Sequence, residues 1–246
     1  MEVKIMKRIF SLALAGLFLI TLIAMPGSGQ TVQQILEKMI EVQGGKKSIE
    51  GIEDMTLSGT IELPTQGLSG PITLYKKEPD KRRLEIELIG MVIIQVYDGK
   101  NGWGTDLQTG GIEDMSGNEL AEIKRESLPV VSILDPQKYG ITYTYKGKEE
   151  IEGKEYYVLD QTYADGFTST LYLDSKTYLT FKTIVKTTGP MGEVEMEQFQ
   201  SDYKKVSGLM MAHSIVVYAS GEEIQKITIE EVNFNTGLED SLFKKE

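Results

Sequence analysis

The stretch from Phe167 to Ile215 constrains the fold more than any other, because it reads as an antiparallel meander. Leu171, Leu173, Leu179, Phe181 and Val185 alternate with Tyr172, Asp174, Thr180 and Lys182, and Asp174-Ser175-Lys176-Thr177 stands between the two runs. A period of two broken by a polar turn predicts a hairpin. After Thr188-Gly189-Pro190-Met191-Gly192, Val194 and Met196 alternate with Glu193, Glu195 and Glu197, and Ser207-Gly208 divides this strand from His213 to Tyr218. Turns this short make neighbouring strands antiparallel. A long sheet with one apolar face needs a cover, and the nature of that cover is the functional question.

The chain begins with a different pattern. Lys4, Lys7 and Arg8 precede the uncharged apolar run Ile9 to Ala24, and Met25-Pro26-Gly27-Ser28-Gly29 supplies small residues before Gln30. These are the three parts of a secretory signal, with cleavage expected after Gly29, so the domains expected are a signal peptide over 1–29 and one folded domain over 30–246. An uncleaved membrane anchor is the alternative, although the run is shorter than the roughly 20 residues a span needs. No cysteine occurs. Disulfides, thiol catalysis and thiolate metal sites are therefore excluded, as is lipidation of the chain itself on a cysteine. The net charge of −11 repels phosphate backbones and makes nucleic acid a poor partner.

Val32, Ile35, Leu36, Met39 and Ile40 fall at helical spacing, with Thr31 and Gln34 placed as a capping box and Gly44-Gly45 as the stop. Met55, Leu57, Ile61 and Leu63 predict a first strand, interrupted by Pro64 to Pro71, and Ile72 to Lys76 a second. Leu84, Ile86 and Leu88 alternate with Arg83, Glu85 and Glu87, whereas Val92, Ile93, Ile94 and Val96 are apolar on both sides. A strand of the latter kind needs cover on both faces, or a lined cavity on one. Trp103, the only tryptophan, reads as core or as a ligand contact. Ser116 to Leu134, cut by Pro129, predicts two short helical pieces that serve as an ordinary connection or as a movable cover. Further strands follow over 141–146, 156–162 and 223–234, the last with a bulge near Glu230-Glu231, giving about ten strands in all.

Catalytic signatures fail in turn. A single histidine, His213, excludes the two-histidine zinc helix and sits in a strand where a bond to nearby backbone is its simplest role. Gly67-Leu68-Ser69-Gly70-Pro71 lacks the last glycine of a nucleophile elbow, and Gly45-Lys46-Lys47-Ser48 lacks the first glycine of a phosphate loop. Glu193, Glu195 and Glu197 read as a solvated strand face, with a cation site as the weaker reading. No enzyme, metal or cofactor is expected. Eleven methionines suit either ordinary core or a site for acyl chains.

Tyr97-Asp98-Gly99-Lys100-Asn101-Gly102-Trp103, the run Tyr172 to Leu179, the run Ser201 to Leu209 with His213, and Asp240-Ser241-Leu242-Phe243 resemble exported proteins of the LolA-like superfamily, often called outer membrane lipoprotein-sorting proteins. The resemblance covers nearly all of 30–246. It departs at Met211-Ala212-His213, where many relatives have an aromatic residue and proline before the histidine. It implies a mainly β, α+β fold of the LolA/LolB kind: a single curved, unclosed antiparallel sheet, a half-barrel, with helices covering its concave face. It also implies a periplasmic, non-enzymatic carrier of an acylated lipoprotein or lipid, with a membrane export complex or outer-membrane receptor as further partner. The alternative is an envelope sensor or protein-interaction module on the same fold. Under this reading Leu57, Leu74, Ile86, Leu88, Met91, Trp103, Leu171, Leu173, Phe181 and Met196 are candidates to line an acyl-chain cavity. Leu120, Ile123, Leu128, Val131 and Leu134 are candidates for its lid.

Overall fold

The computed structural model describes residues 30–189 and 192–245. The expected export signal and the Pro190-Met191 part of the expected turn lie outside them. The folded unit spans Thr31–Glu246. It starts with helices α1 (Val32–Val42) and α2 (Gly45–Glu50), followed by strands β1 (Asp54–Leu63), β2 (Leu68–Lys77), β3 (Lys81–Leu88), β4 (Met91–Tyr97), β5 (Gly102–Thr105) and β6 (Ile112–Asp114). Helix α3 (Gly117–Glu126) and two 3-10 turns lead on to β7 (Ile141–Ile151), β8 (Lys154–Tyr163), β9 (Thr168–Asp174), β10 (Thr180–Gly189), β11 (Gly192–Val206), β12 (Leu209–Ala219) and β13 (Glu222–Phe234).

These strands form one 13-stranded antiparallel sheet in the order β6-β5-β4-β3-β2-β1-β13-β12-β11-β10-β9-β8-β7. Two meanders therefore meet at β1 and β13, and β6 and β7 are the free edges of an unclosed sheet. The segment carrying α3 must travel from one edge to the other. The sheet exceeds the expected count of about ten because β5 and β6 are too short to show periodicity, and β2 is longer than expected because Leu68 to Pro71 already pairs with β1, despite the proline.

Alternation divides the side chains between an inner face, which carries the helices, and an outer face. α1 is fixed by the capping box: Gln34 N donates to Thr31 Oγ1 at 3.2 Å and Thr31 N to Gln34 Oε1 at 2.9 Å. Its Ile35 and Met39 are buried on the inner face against Tyr157, Leu159 and Leu173. Gly44, at φ +126°, ends the helix, and a Cβ there would sit 2.7 Å from the Gly208 carbonyl oxygen in the β11–β12 turn. α2 puts Ile49 on Leu209. The bulge expected in the last strand is present: Ser58 faces Glu231 and Gly59 faces Ile229, leaving Glu230 as the extra residue.

The outer face has its own cover on one half. Phe243 is buried against Val96 and Trp103, with Tyr75 and Ile94 around them, so the C-terminal segment straps the outer side of β2 to β5. The Asp54 carboxylate anchors the strap by accepting from the backbone N–H groups of Thr236, Gly237 and Leu238 at 2.8, 2.8 and 3.1 Å. Burial pushes the Asp54 carboxyl up, but these backbone bonds outweigh it and hold it below the ordinary range. Hydrogen bonds from Lys77 and Lys81 hold the Asp240 carboxyl down at about 2. A carboxyl depressed in the folded state stabilises above its unfolded value of about 3.9, and that stability is lost as pH falls through the folded value. The strap should thus release in acid, below about pH 4 and toward pH 2, and a red shift of Trp103 emission would follow it. Asp54→Ala should cost about 2–4 kcal/mol and show the shifted emission already at neutral pH.

Candidate functional site

The inner face is not covered evenly. α1 and α2 sit over β7 to β12, and α3 sits over β4 and β5. Between them the aliphatic side chains of β1, β2, β3, β12 and β13 surround a cavity of about 430 Å³. Its walls are Leu57, Ile61, Ile72, Leu74, Leu84, Ile86, Ile215, Ile227 and Ile229. Cross-strand register explains the grouping, since Leu57 faces Leu74, Ile72 faces Ile86 and Ile215 faces Ile227. The volume lies within the roughly 300–1,000 Å³ of small-molecule sites. Polar groups enter the lining at Arg82, Gln95, Glu126, Gln198 and Gln225. A second cavity of about 320 Å³ lies under α2 and the turn Val130–Ile133, lined by Ile49, Ile52, Met55, Leu209, Met211 and Phe234 among others.

Two glycines make room for α3. Gly102 and Gly104 point inward from β5, so Trp103 between them points out to the strap. A Cβ on Gly102 would lie 3.1 Å from both Leu120 and Ile123 of α3. The end of α3 is tied to the sheet beside the cavity. Lys76 Nζ donates to the carbonyls of Glu126 and Leu128 at 3.0 and 3.1 Å, Arg82 Nη2 lies 2.8 Å from Glu126 Oε2, and Val130 N donates to Glu78 Oε1 at 2.9 Å. Burial pushes Lys76 and Arg82 down and Glu78 up from their ordinary values.

Of the lining candidates, Leu57, Leu74 and Ile86 stand in the cavity wall. Leu88 shares their face and is buried beside Ile61 and Ile72. Met91 is at the β3–β4 hairpin tip. Leu171 and Leu173 pack under α1, away from the cavity. Met196 shares the inward parity of Gln198. Trp103 faces outward. Phe181 does too: a register shift between Thr180 and Lys182 turns it to the outer face, where it stacks on Tyr156 at 4.6 Å and meets Phe199 edge-on. Among the lid candidates, Ile123 is buried on β5, while Val131 and Leu134 pack with Ile49 and Leu209. Leu128 and Leu120 line a shallower hollow with Tyr139 and Tyr163.

Sequence reasoning missed Arg82 and Lys76. Their signal is a parity clash, because Arg82 shares the inward side with Leu84 and Ile86, and Lys76 with Ile72 and Leu74. His213 is buried, and its Nδ1 donates to the Met211 carbonyl at 3.0 Å. Glu197 is paired with Lys182 at 2.7 Å, which leaves it engaged on the outer face. Among the described residues no group of three or more potential ligands is placed to hold a metal. The exposed large apolar side chains among these residues are Ile89, Met91, Val92, Leu107 and Ile112, on two adjacent hairpins at one end of the sheet. Ile89 at the β3–β4 turn is 81% exposed.

Replacing Gly102 by valine should push α3 off β5, at a cost of about 1–3 kcal/mol from overpacking. Hydrogen exchange of the backbone amides of Leu120 to Glu126 should accelerate, while α1 stays protected.

No family model matches the chain, and no curated protein matches it in sequence. Solved structures do match in fold. A LolA superfamily protein from Nitrosomonas europaea aligns with a TM-score of 0.61 at 14% identity, covering 88% of this chain and 99% of that one. A DUF1329 family protein from Desulfovibrio piger gives 0.60 at 14% identity over 88% and 98%. A domain provisionally assigned to outer membrane lipoprotein sorting, from Vibrio parahaemolyticus, gives 0.58 at 18% identity over 85% and 95%. With the unclosed antiparallel sheet and the helices on its inner face, these likenesses give the chain the LolA-like half-barrel fold.

Proposed function

We propose that this protein is a non-enzymatic carrier that holds an acyl chain in the cavity between α3 and the α1–α2 pair. The cavity itself carries the reading: nine aliphatic side chains from five strands face a space that the fold leaves unfilled. Clefts of this volume with a mainly aliphatic lining and a few polar groups are the usual form of a small-molecule site. An acyl chain is the ligand that needs little but apolar surface. Burying about ten methylenes at about 0.8 kcal/mol each gives about 8 kcal/mol, enough for micromolar binding before ordering costs.

The ligand in this reading is an acylated lipoprotein or a lipid, and the protein works in the periplasm after export, receiving cargo from one membrane complex and giving it to an acceptor. The fold shared with the Vibrio parahaemolyticus domain provisionally assigned to outer membrane lipoprotein sorting supports this direction. The exposed apolar hairpins suit contact with a bilayer, since large apolar side chains left in water mark interaction surfaces. Leu84, Ile86 and Leu88 form a row along β3 from the cavity to the β3–β4 tip.

Protein purified from its own cell envelope should carry acyl chains, detected by native mass spectrometry and lipid extraction. Leu84→Glu places a charge in the wall and should empty the cavity with the fold retained; a wild-type protein that remains empty after exposure to acylated lipoprotein would end the carrier reading. Ile89→Asp with Leu107→Asp should leave acyl-chain binding intact and slow transfer to zwitterionic vesicles several-fold.

A further inference from the structure

Arg82 is the polar residue that the cavity least explains. It is 8% exposed and stands in the inward row with Leu84 and Ile86, where an aliphatic side chain would complete the wall. A guanidinium stays charged at any physiological pH, and its planar fork suits two parallel bonds to a carboxylate or phosphate. Here only one side of the fork is used. Nη2 pairs with Glu126, whereas Nη1 is buried and has no partner among the described residues. A buried donor without an acceptor is costly and uncommon in folded proteins, so one is expected to find its acceptor elsewhere.

We propose that Arg82 is the head-group site of this cavity and that the ligand is a single-chain amphiphile with an anionic head, a carboxylate or a phosphate monoester. This rests on the acyl-chain reading above and adds to it the chemistry of the other end of the ligand. Lys76, opposite Arg82 in the β2–β3 register, stands outside the cavity lining, with its ammonium on the Glu126 and Leu128 carbonyls. Of the other carboxylates nearby, Glu78 accepts from Val130 N, and Glu122, which lines the neighbouring cavity beside Ile123, is close enough to Arg82 for their charges to interact. Glu126 is the placeholder. Its side chain is 45% exposed, so it can turn to water when the ligand's acid takes its place on the fork. The head then lies beside Arg82, and the tail runs along Leu84 and Ile86.

The test compares hexadecanoate, hexadecanol and a hexadecanoyl lysophosphatidate by calorimetry at neutral pH, using the folded, exported form of the chain. At least one of the two anions should bind about tenfold or more tightly than the alcohol, a difference of about 1.4 kcal/mol. Arg82→Met should abolish that preference and leave alcohol binding unchanged. Arg82→Lys keeps the charge but loses the fork, and it should lower anion affinity more than alcohol affinity; this variant decides the matter if the methionine form does not fold. Preference for hexadecanoate alone assigns a free fatty acid, and preference for the lysophosphatidate alone assigns a phospholipid head. Equal affinities in the wild type, or a preference that survives Arg82→Met, overturn the head-group site while the carrier reading stands. Binding of none of the three overturns the head-group site, and the carrier reading then stands or falls on the exposure to acylated lipoprotein described above.

Discussion

The pairing of β1 with β13 is the interaction on which the rest depends. It joins the first strand to the last, with Met55 opposite Phe234 and Ile61 opposite Ile227, and so turns two local meanders into one sheet. Each meander forms from short-range turns at little entropic cost, but this seam closes the whole chain and must be stabilised by what it brings together. Asn235 Oδ1 accepts from Glu53 N at 2.8 Å, and the Asp54 carboxylate takes three successive N–H groups beyond it. The seam is thus held at one end by a polar lock and along its length by inward aliphatic pairs. Those same pairs make the cavity wall, so the joint of the fold and the floor of the candidate site are one structure.

The cavity follows from an unequal distribution of cover. The described residues hold three α-helices for a sheet of thirteen strands, and α1 and α2 lie on the half that ends at β7. The other half receives α3 on its inner side, tied down by Lys76 and Arg82, and the C-terminal strap on its outer side. β4 is consequently apolar on both faces, with Ile94 and Val96 under the strap and Ile93 toward the interior. What remains in the centre is aliphatic surface facing space.

Much of this was legible in the residues. The meander from Phe167, the capping box of Thr31 and Gln34, the helical break after Ser116 and the bulge at Glu230 were readable because period and turn chemistry are local properties. Leu57, Leu74 and Ile86 were candidates under the family resemblance, and alternation along β1, β2 and β3 puts them on the inner face. Phe181 was misplaced by the same rule, since a single extra residue after Thr180 reverses the face of a strand. Trp103 could not be assigned a face without knowing that Gly102 and Gly104 yield the inner side to a helix far along the chain. Arg82 was hidden for another reason: a lone cation at an inward position looks like solvent-facing charge until the strand's neighbours are known.

A photoreactive fatty acid bearing a diazirine near the tail end reports where an acyl chain lies, through the peptides it labels on the folded protein. Labels should concentrate on β1 to β3 and on β12 and β13, at or beside Leu57, Ile86, Ile215 and Ile227, and be competed away by unlabelled hexadecanoate. Labels confined to the exposed hairpins around Ile89 and Leu107, or spread over the outer face with no competition, would contradict that placement.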